Sequence, residues 1–387
     1  MSDLHQIQPV QMSLNGAPAP RYQRAPLPCG FSVDAYVKDI LDRVRYPRRL
    51  LVGLDDIAMS TLETYLRGTR VFILGLRLTN VCNYDCVYCG TAERRGRDNS
   101  NTLTTSEYID LIHQAAALGV HTILFGANGE PLMTKDLLQI VGCVAEHGMV
   151  PLIFTNASLI GNDALCARYH GISGRELLRR LDEAGTSLMI SSESLDRERY
   201  NRIMRVDGYD HFRTAIERIR NESSFPEPRT YEGRPLCRLG FSILMMPENY
   251  DERHALLEFV HDLNALAILK LPSLHGAAKV NMDRMFTVDR AREIRAELED
   301  LSDKQATLQI LTLGCASWTL GMSIDNEGRF MACMSEEINP FEAHQNARNT
   351  RLADLIYRRI ELLKLRNTIC PVKDKFYRVP ETSGAAS

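Results

Sequence analysis

What this chain of 387 residues lacks narrows what it can be. It contains no uninterrupted apolar run near the roughly 20 residues that a membrane-spanning helix needs. It has no basic excess: the formal net charge is -3 and the pI is about 6.4. A nucleic-acid footprint would show as a basic stripe, so the expected substrate is a small molecule or a peptide. The first twenty residues lack the basic start and apolar middle of a secretory signal, and the expected location is the cytoplasm. In that reducing compartment the ten cysteines are expected as metal ligands, catalytic thiols or buried small hydrophobes rather than disulfides.

What is present is ordinary globular material. With 44% hydrophobic and 25% charged residues, the chain can bury a substantial core. Residues up to about Phe31 are rich in Pro, Gln and Ala without periodicity, as in "NGAPAPRYQRAPLPCGF", and read as a tail or surface wrap. From "SVDAYVKDILDRVRYPRRLL" to "TLETYLRG" apolar residues recur at helical spacing. Residues 1–70 therefore form a tail and helical prelude.

From Val71 strand and helix alternate. "VFILGLRL" reads as a buried strand, "TTSEYIDLIHQAAALG" as a helix with a Thr/Ser start and a glycine stop, and "HTILFG" as the next strand. "PLIFTN", "SLMISS", "CRLGFSILMM" and "AILKLP" continue the strands, giving about six units of parallel α/β architecture. Short strands that are apolar on both faces predict a partial barrel of six units over residues 71–305. Chemistry on such a barrel sits at the carboxyl ends of its strands.

At the end of the first strand stands "CNYDCVYC", with Cys82, Cys86 and Cys89 in C-x3-C-x2-C spacing. Such a run arises by chance in roughly one of a hundred chains of this cysteine content, so it needs a chemical reason. Three thiolates on one loop can hold an iron-sulfur cube and leave its fourth iron open. Zinc is the alternative, although a structural zinc site normally takes four protein ligands and no other Cys or His lies nearby.

These residues resemble the cluster-binding signature of the radical S-adenosylmethionine (SAM) superfamily, including Tyr88 before the third cysteine. The resemblance covers about Val71 to Leu271 and implies a [4Fe-4S] cluster whose open iron chelates SAM. One electron then releases a 5′-deoxyadenosyl radical. "NGEP" resembles the family's glycine-glycine-glutamate-proline loop: Gly129, Glu130 and Pro131 match, Asn128 replaces the first glycine, and the loop would hold the methionine ammonium. "FTNASL" implies Asn156 near the methionine or ribose. "ISSESLD" implies Ser191 near SAM and puts Glu193 where Asp is usual, and Arg205 aligns with an arginine that meets the carboxylate. His275, in "LPSLHGAAK" after the sixth strand, is a candidate base.

Residues 306–387 carry a second constellation. "MSID" and "RFMA" read as two strands joined by a turn from Asp325 to Gly328, with Cys315 and Cys333 flanking the hairpin. Cys370 follows the helix "TRLADLIYRRIELLKLR". C-x12-G-x4-C with a later cysteine resembles the SPASM/twitch extension in its shorter twitch form. That implies one auxiliary [4Fe-4S] cluster on Cys315, Cys333 and Cys370. Cys29, Cys143, Cys166 and Cys237 are expected as buried hydrophobes, with Cys143 on a helix face, Cys29 and Cys166 in loop-like surroundings and Cys237 opening the fifth strand.

An auxiliary cluster can accept an electron from a substrate radical. The resemblance therefore implies dehydrogenation or epimerisation of an aminocyclitol or sugar in natural-product biosynthesis, with an electron donor such as flavodoxin or ferredoxin. The Gly-Gly tail of the molybdenum-cofactor cyclase relatives is not seen in the closing "ETSGAAS". Peptide maturation is the alternative enzyme reading, though no β ribbon of a peptide-recognition domain shows before Val71. A non-catalytic electron-transfer protein is the alternative from another class, and it would need no SAM loops.

Overall fold

The computed structural model describes residues 48–303 apart from 58, 68–69, 97–99 and 127, together with 320–331, 346–356 and positions 34, 37, 38 and 41. Its strands are β1 (Leu50–Leu51), β2 (Ile73–Leu76), β3 (Thr122–Phe125), β4 (Val150–Thr155), β5 (Ser187–Ser191) and β6 (Arg229–Tyr231). They continue with β7 (Arg234–Cys237), β8 (Leu239–Leu244), β9 (Leu266–Lys270), β10 (Gly321–Ile324) and β11 (Phe330–Met331). The first helices are α1 (Met59–Leu66), α2 (Thr105–Ala117), α3 (Leu137–Glu146), α4 (Ser158–Gly161), α5 (Asp163–His170) and α6 (Gly174–Glu183). The rest are α7 (Arg197–Met204), α8 (Tyr209–Glu222), α9 (Arg253–His261), α10 (Ala277–Val280) and α11 (Val288–Leu301).

The six predicted units are there. β2, β3, β4, β5, β8 and β9 run parallel and adjacent, in registers such as Ile73 opposite Thr122 and Leu188 opposite Leu239. Alternation along these strands separates two apolar clusters. Leu74, Leu76, Ile123, Phe125, Leu188 and Ile190 join the large core with the helices. Leu152, Met189 and Leu266 turn to a smaller cluster with Leu51 and Cys237. Burying both faces is what the near-continuous apolar strands predict. Among the described residues the sheet does not close: β9 ends one side and β11 the other.

Local chemistry sets the helix starts. In α2, Thr104 accepts from the Glu107 amide while Glu107 reaches back to the Thr104 amide, a reciprocal cap that satisfies two otherwise orphaned donors. Replacing Thr104 with Ala costs about 1 kcal/mol by this count.

Three features depart from the sequence reading. Cys237 does not open the fifth barrel strand: it closes β7, which pairs with β1 and β6 in a separate three-stranded sheet. Cys166 lies on α5, wholly buried, rather than in a loop. The hairpin forms as predicted, with β10 antiparallel to β11, but β10 also pairs parallel to β2 from Gly321 opposite Ile73 to Ile324 opposite Leu76. It thus extends the barrel sheet at its first edge, because β2 exposes an unpaired backbone edge that a passing strand can satisfy. The turn predicted between Asp325 and Gly328 is closed by Asp325 Oδ1 accepting from the amides of Glu327 and Arg329. Positions 352–356 begin the predicted helix that follows. Cys29, Cys315, Cys333 and Cys370 lie outside the described residues.

Candidate active site

The loop that leaves β2 carries the three cysteines, and the neighbouring strand ends grip it. The Glu130 amide donates to Val81 O at 2.7 Å, the Val87 amide to Ile203 O at 3.0 Å, and the Ala277 amide to Cys89 O at 2.8 Å. Asn281 Nδ2 donates to Val87 O at 2.9 Å. These contacts come from the loop after β3, from α7 and from α10, so the segments after three separate strands converge on one loop. Two approaches require glycine. A Cβ on Gly129, at φ +58°, would stand 2.4 Å from Val81 O, and one on Gly276, at φ +55°, 2.5 Å from Cys89 O.

Cys82, Cys86 and Cys89 are all half-buried. Burial, with the nearby Glu130 charge adding to it, pushes the Cys82 thiol up to about 12. Burial, then Glu193, holds Cys86 well above the ordinary thiol range. Thiolates at such positions need a strong positive charge beside them, which an iron-sulfur cluster held there would supply. The Tyr84 amide already donates to Cys82 Sγ at 3.5 Å, as a thiolate ligand favours. A cavity of about 540 Å³ opens beside the loop, lined by Cys82, Tyr84, Arg95, Arg205 and Asn281 among others.

Glu130, 2% exposed, accepts from the Leu132 amide at 3.1 Å, Thr155 Oγ1 at 2.5 Å and the Asn156 amide at 2.8 Å. Burial nevertheless pushes its carboxyl up to about 7. One of roughly four acceptor sites on the carboxylate remains for an ammonium. Pro131 follows it as the first residue of a short 3-10 turn that Glu130 caps. Asn128, the departure from glycine, donates through Nδ2 to Asn80 Oδ1 at 2.9 Å, while its own Oδ1 is buried without a partner among the described residues. An orphaned buried acceptor beside Glu130 suits the ammonium of a bound SAM, so these residues fit that group.

Asn156 is engaged within the protein. Its Oδ1 accepts from the Ser158 amide and its Nδ2 donates to Asn83 Oδ1, tying the end of β4 to the cysteine loop. Ser191 ends β5, half-buried. Arg205 caps α7 in the left-handed region at φ +52° and donates to Asn281 Oδ1 at 2.8 Å. It lines the cavity, with its guanidinium 3.9 Å from Asp85 Oδ2.

Glu193 lies just beyond β5 and is 1% exposed, and neither of its oxygens makes a full hydrogen bond among the described residues. Burial pushes it up to about 8, against the Tyr88 hydroxyl, the Leu244 backbone and the Lys270 ammonium, which favour its charged form. Tyr88 also donates to Met204 Sδ at 3.5 Å. His275 does not sit in solvent. Its ring covers Gly90, where a Cβ would stand 2.4 Å from Nε2, and its Nδ1 is buried without a partner among the described residues.

A family model described as the radical SAM superfamily matches residues 76–260. Residues 76–260 are a radical SAM domain. The chain is 32% identical over 161 residues to a molybdenum cofactor biosynthesis protein of Caenorhabditis elegans, covering 41% of this chain and 23% of that one. It is 25% identical over 228 residues to a probable GTP 3′,8-cyclase of Methanocella arvoryzae, covering 58% and 65%. It thus spans less than two thirds of either relative's length. The structure of Streptococcus suis SuiB bound to S-adenosylmethionine resembles this fold with a TM-score of 0.56 at 16% identity, covering 77% of this chain and 69% of that one. Membership implies a [4Fe-4S] cluster and SAM. Among the described residues no helix is long and apolar enough to cross a membrane.

The cross-braces through Asn80, Asn83, Asn128 and Asn281 escaped the sequence reading. Asn83 had a signal, since it lies inside the cysteine motif. Asn281 had none: its role depends on α10 reaching back to the loop after β2.

Proposed function

We propose that this radical SAM enzyme removes a hydrogen atom from a hydroxylated small molecule, a sugar or aminocyclitol, and completes its dehydrogenation or epimerisation. The observation that carries the reading is Glu193, a buried carboxyl without a full hydrogen bond at the carboxyl end of β5, beside Tyr88 of the cysteine loop. When bound, the cluster and SAM supply a 5′-deoxyadenosyl radical, which takes one hydrogen atom from the carbinol carbon. Cys82, Cys86 and Cys89 would hold the cluster, Glu130 and Asn128 the SAM ammonium, and Arg205 its carboxylate. Glu193 takes the hydroxyl proton in its ionised form; because burial raises its carboxyl to about 8, product formation should rise with pH towards that value. Oxidation requires one more electron to leave the substrate. Cys315, Cys333 and Cys370, in their twitch-like spacing, are the candidates for holding a one-electron acceptor.

The sequence relatives favour a second reading, cyclisation of GTP, because their names state that reaction. The test is 5′-deoxyadenosine formation by the anaerobically reconstituted enzyme with reductant, SAM and either GTP, an aminocyclitol and sugar panel, or a peptide. Stimulation by the panel, with deuterium carried from a labelled carbinol into 5′-deoxyadenosine, supports the first reading. Stimulation by GTP alone replaces it with the second, and by peptide alone with maturation. The C82A/C86A/C89A variant is expected to cleave no SAM, and cleavage at the wild-type rate would refute the cluster assignment.

A further inference from the structure

A second set of metal-ligating side chains lies away from the strand ends, on the outer helix layer. His113 is exposed on α2, Cys143 lies on α3 with 8% of its surface exposed, and His147 is exposed immediately after α3. Their ligand atoms all lie within 4.8 Å of one another. Cys143 and His147 are four residues apart, one helical turn, and therefore share a face. The two imidazoles meet edge to face with centroids 5.0 Å apart. Neither the imidazoles nor the thiol has a hydrogen-bonding partner among the described residues.

We propose that His113, Cys143 and His147 form a surface site for a borderline-soft divalent transition metal, with zinc as its occupant and water as the fourth ligand. Two imidazole nitrogens and one thiolate sulfur match the ligand preference of zinc, and the set offers none of the oxygen cages that calcium or magnesium demand. In a tetrahedral site with zinc-nitrogen bonds near 2.0 Å and zinc-sulfur near 2.3 Å, ligand atoms stand about 3.3–3.6 Å apart. Two exposed imidazoles can close the remaining gap by side-chain rotation, while the core holds the sulfur in place. The site is distinct from the cysteine loop in ligand type and in position. Its occupant would tie the last turn of α2 to the end of α3, the helices that lead into β3 and β4.

The test adds zinc alone to the cluster-loaded chain under anaerobic conditions. Affinity is read by competition with a chromophoric chelator, and ligation by zinc-edge X-ray absorption, to which iron is silent. One zinc per chain with mixed sulfur and nitrogen ligation is expected, together with a higher melting temperature. H113A and H147A should each weaken binding by at least about ten-fold, and the double variant by about 100-fold, with loss of the melting shift. Iron content and SAM cleavage should stay at wild-type levels. Because Cys143 is buried, C143S can unfold the helix layer, whereas the two exposed histidines keep the experiment decisive. Equal zinc affinity in the wild type and the H113A/H147A variant, or a zinc edge without sulfur ligation, would overturn the proposal.

Discussion

Asn156 donates through Nδ2 to Asn83 Oδ1 at 3.0 Å, so the end of β4 holds the cysteine loop between its first and second thiols. The same asparagine caps its own turn by accepting from the Ser158 amide at 2.9 Å. N156A removes both contacts and leaves Asn83 Oδ1 without its donor. Cluster retention is expected to fall before global stability does, with a destabilisation of about 1–3 kcal/mol. Iron content against melting temperature checks it, and full iron with unchanged SAM cleavage would show that the brace is dispensable.

Glu130 separates two effects that one substitution would merge. E130A frees the Leu132 and Asn156 amides and the Thr155 hydroxyl at once, so both stability and SAM binding should drop. E130Q keeps an acceptor and loses the charge, and it should weaken SAM binding by roughly ten- to a hundred-fold, matching about 1.5–3 kcal/mol for a charge-assisted hydrogen bond. Equilibrium SAM binding to the cluster-loaded variants measures this. An unchanged dissociation constant in both would show that the loop does not hold the ammonium.

Glu193 gives a pH dependence with a definite sign. Its folded carboxyl is raised from the ordinary 4.5 to about 8 by burial, so below about 4.5 both folded and unfolded chains carry the proton and ionisation adds no pH-dependent cost. As pH rises from there towards 8 the unfolded chain ionises first, and stability falls by at most about 1.4 kcal/mol per pH unit before levelling off above 8. E193Q does not titrate. Its melting temperature relative to wild type should therefore climb between about pH 5 and about pH 8, and a flat difference would mean that the carboxyl is not buried neutral. Catalytically, the variant should keep hydrogen abstraction, read as deuterium in 5′-deoxyadenosine, and lose product.

The proposed auxiliary cluster would be held by Cys315, Cys333 and Cys370. Replacing all three with alanine should remove about four irons per chain while uncoupled SAM cleavage persists and oxidised product disappears. Iron analysis of the soluble variant decides it. Unchanged iron would leave the substrate radical without an acceptor inside this chain and would end the preference for oxidation.

The sequence by itself determined the barrel strands, the helix starts and the cysteine motif, because each is written in neighbouring residues. Apolar runs of four to six mark a strand buried on both faces, a Thr/Ser start and a glycine stop mark the first barrel helix, and Cys82, Cys86 and Cys89 fit one loop around one group. Only the tertiary structure decided which distant segments meet. That β10 satisfies the free edge of β2 depends on edge hydrogen bonds that no periodicity announces. Cys237 pairs with Leu51 in the small sheet for the same reason. The burial of Glu193 beside Tyr88, and the convergence of His113 from one helix on Cys143 and His147 from the next, likewise follow from packing. Side-chain direction across separate elements is set by how helices seat on the sheet, a three-dimensional condition that local pattern does not encode.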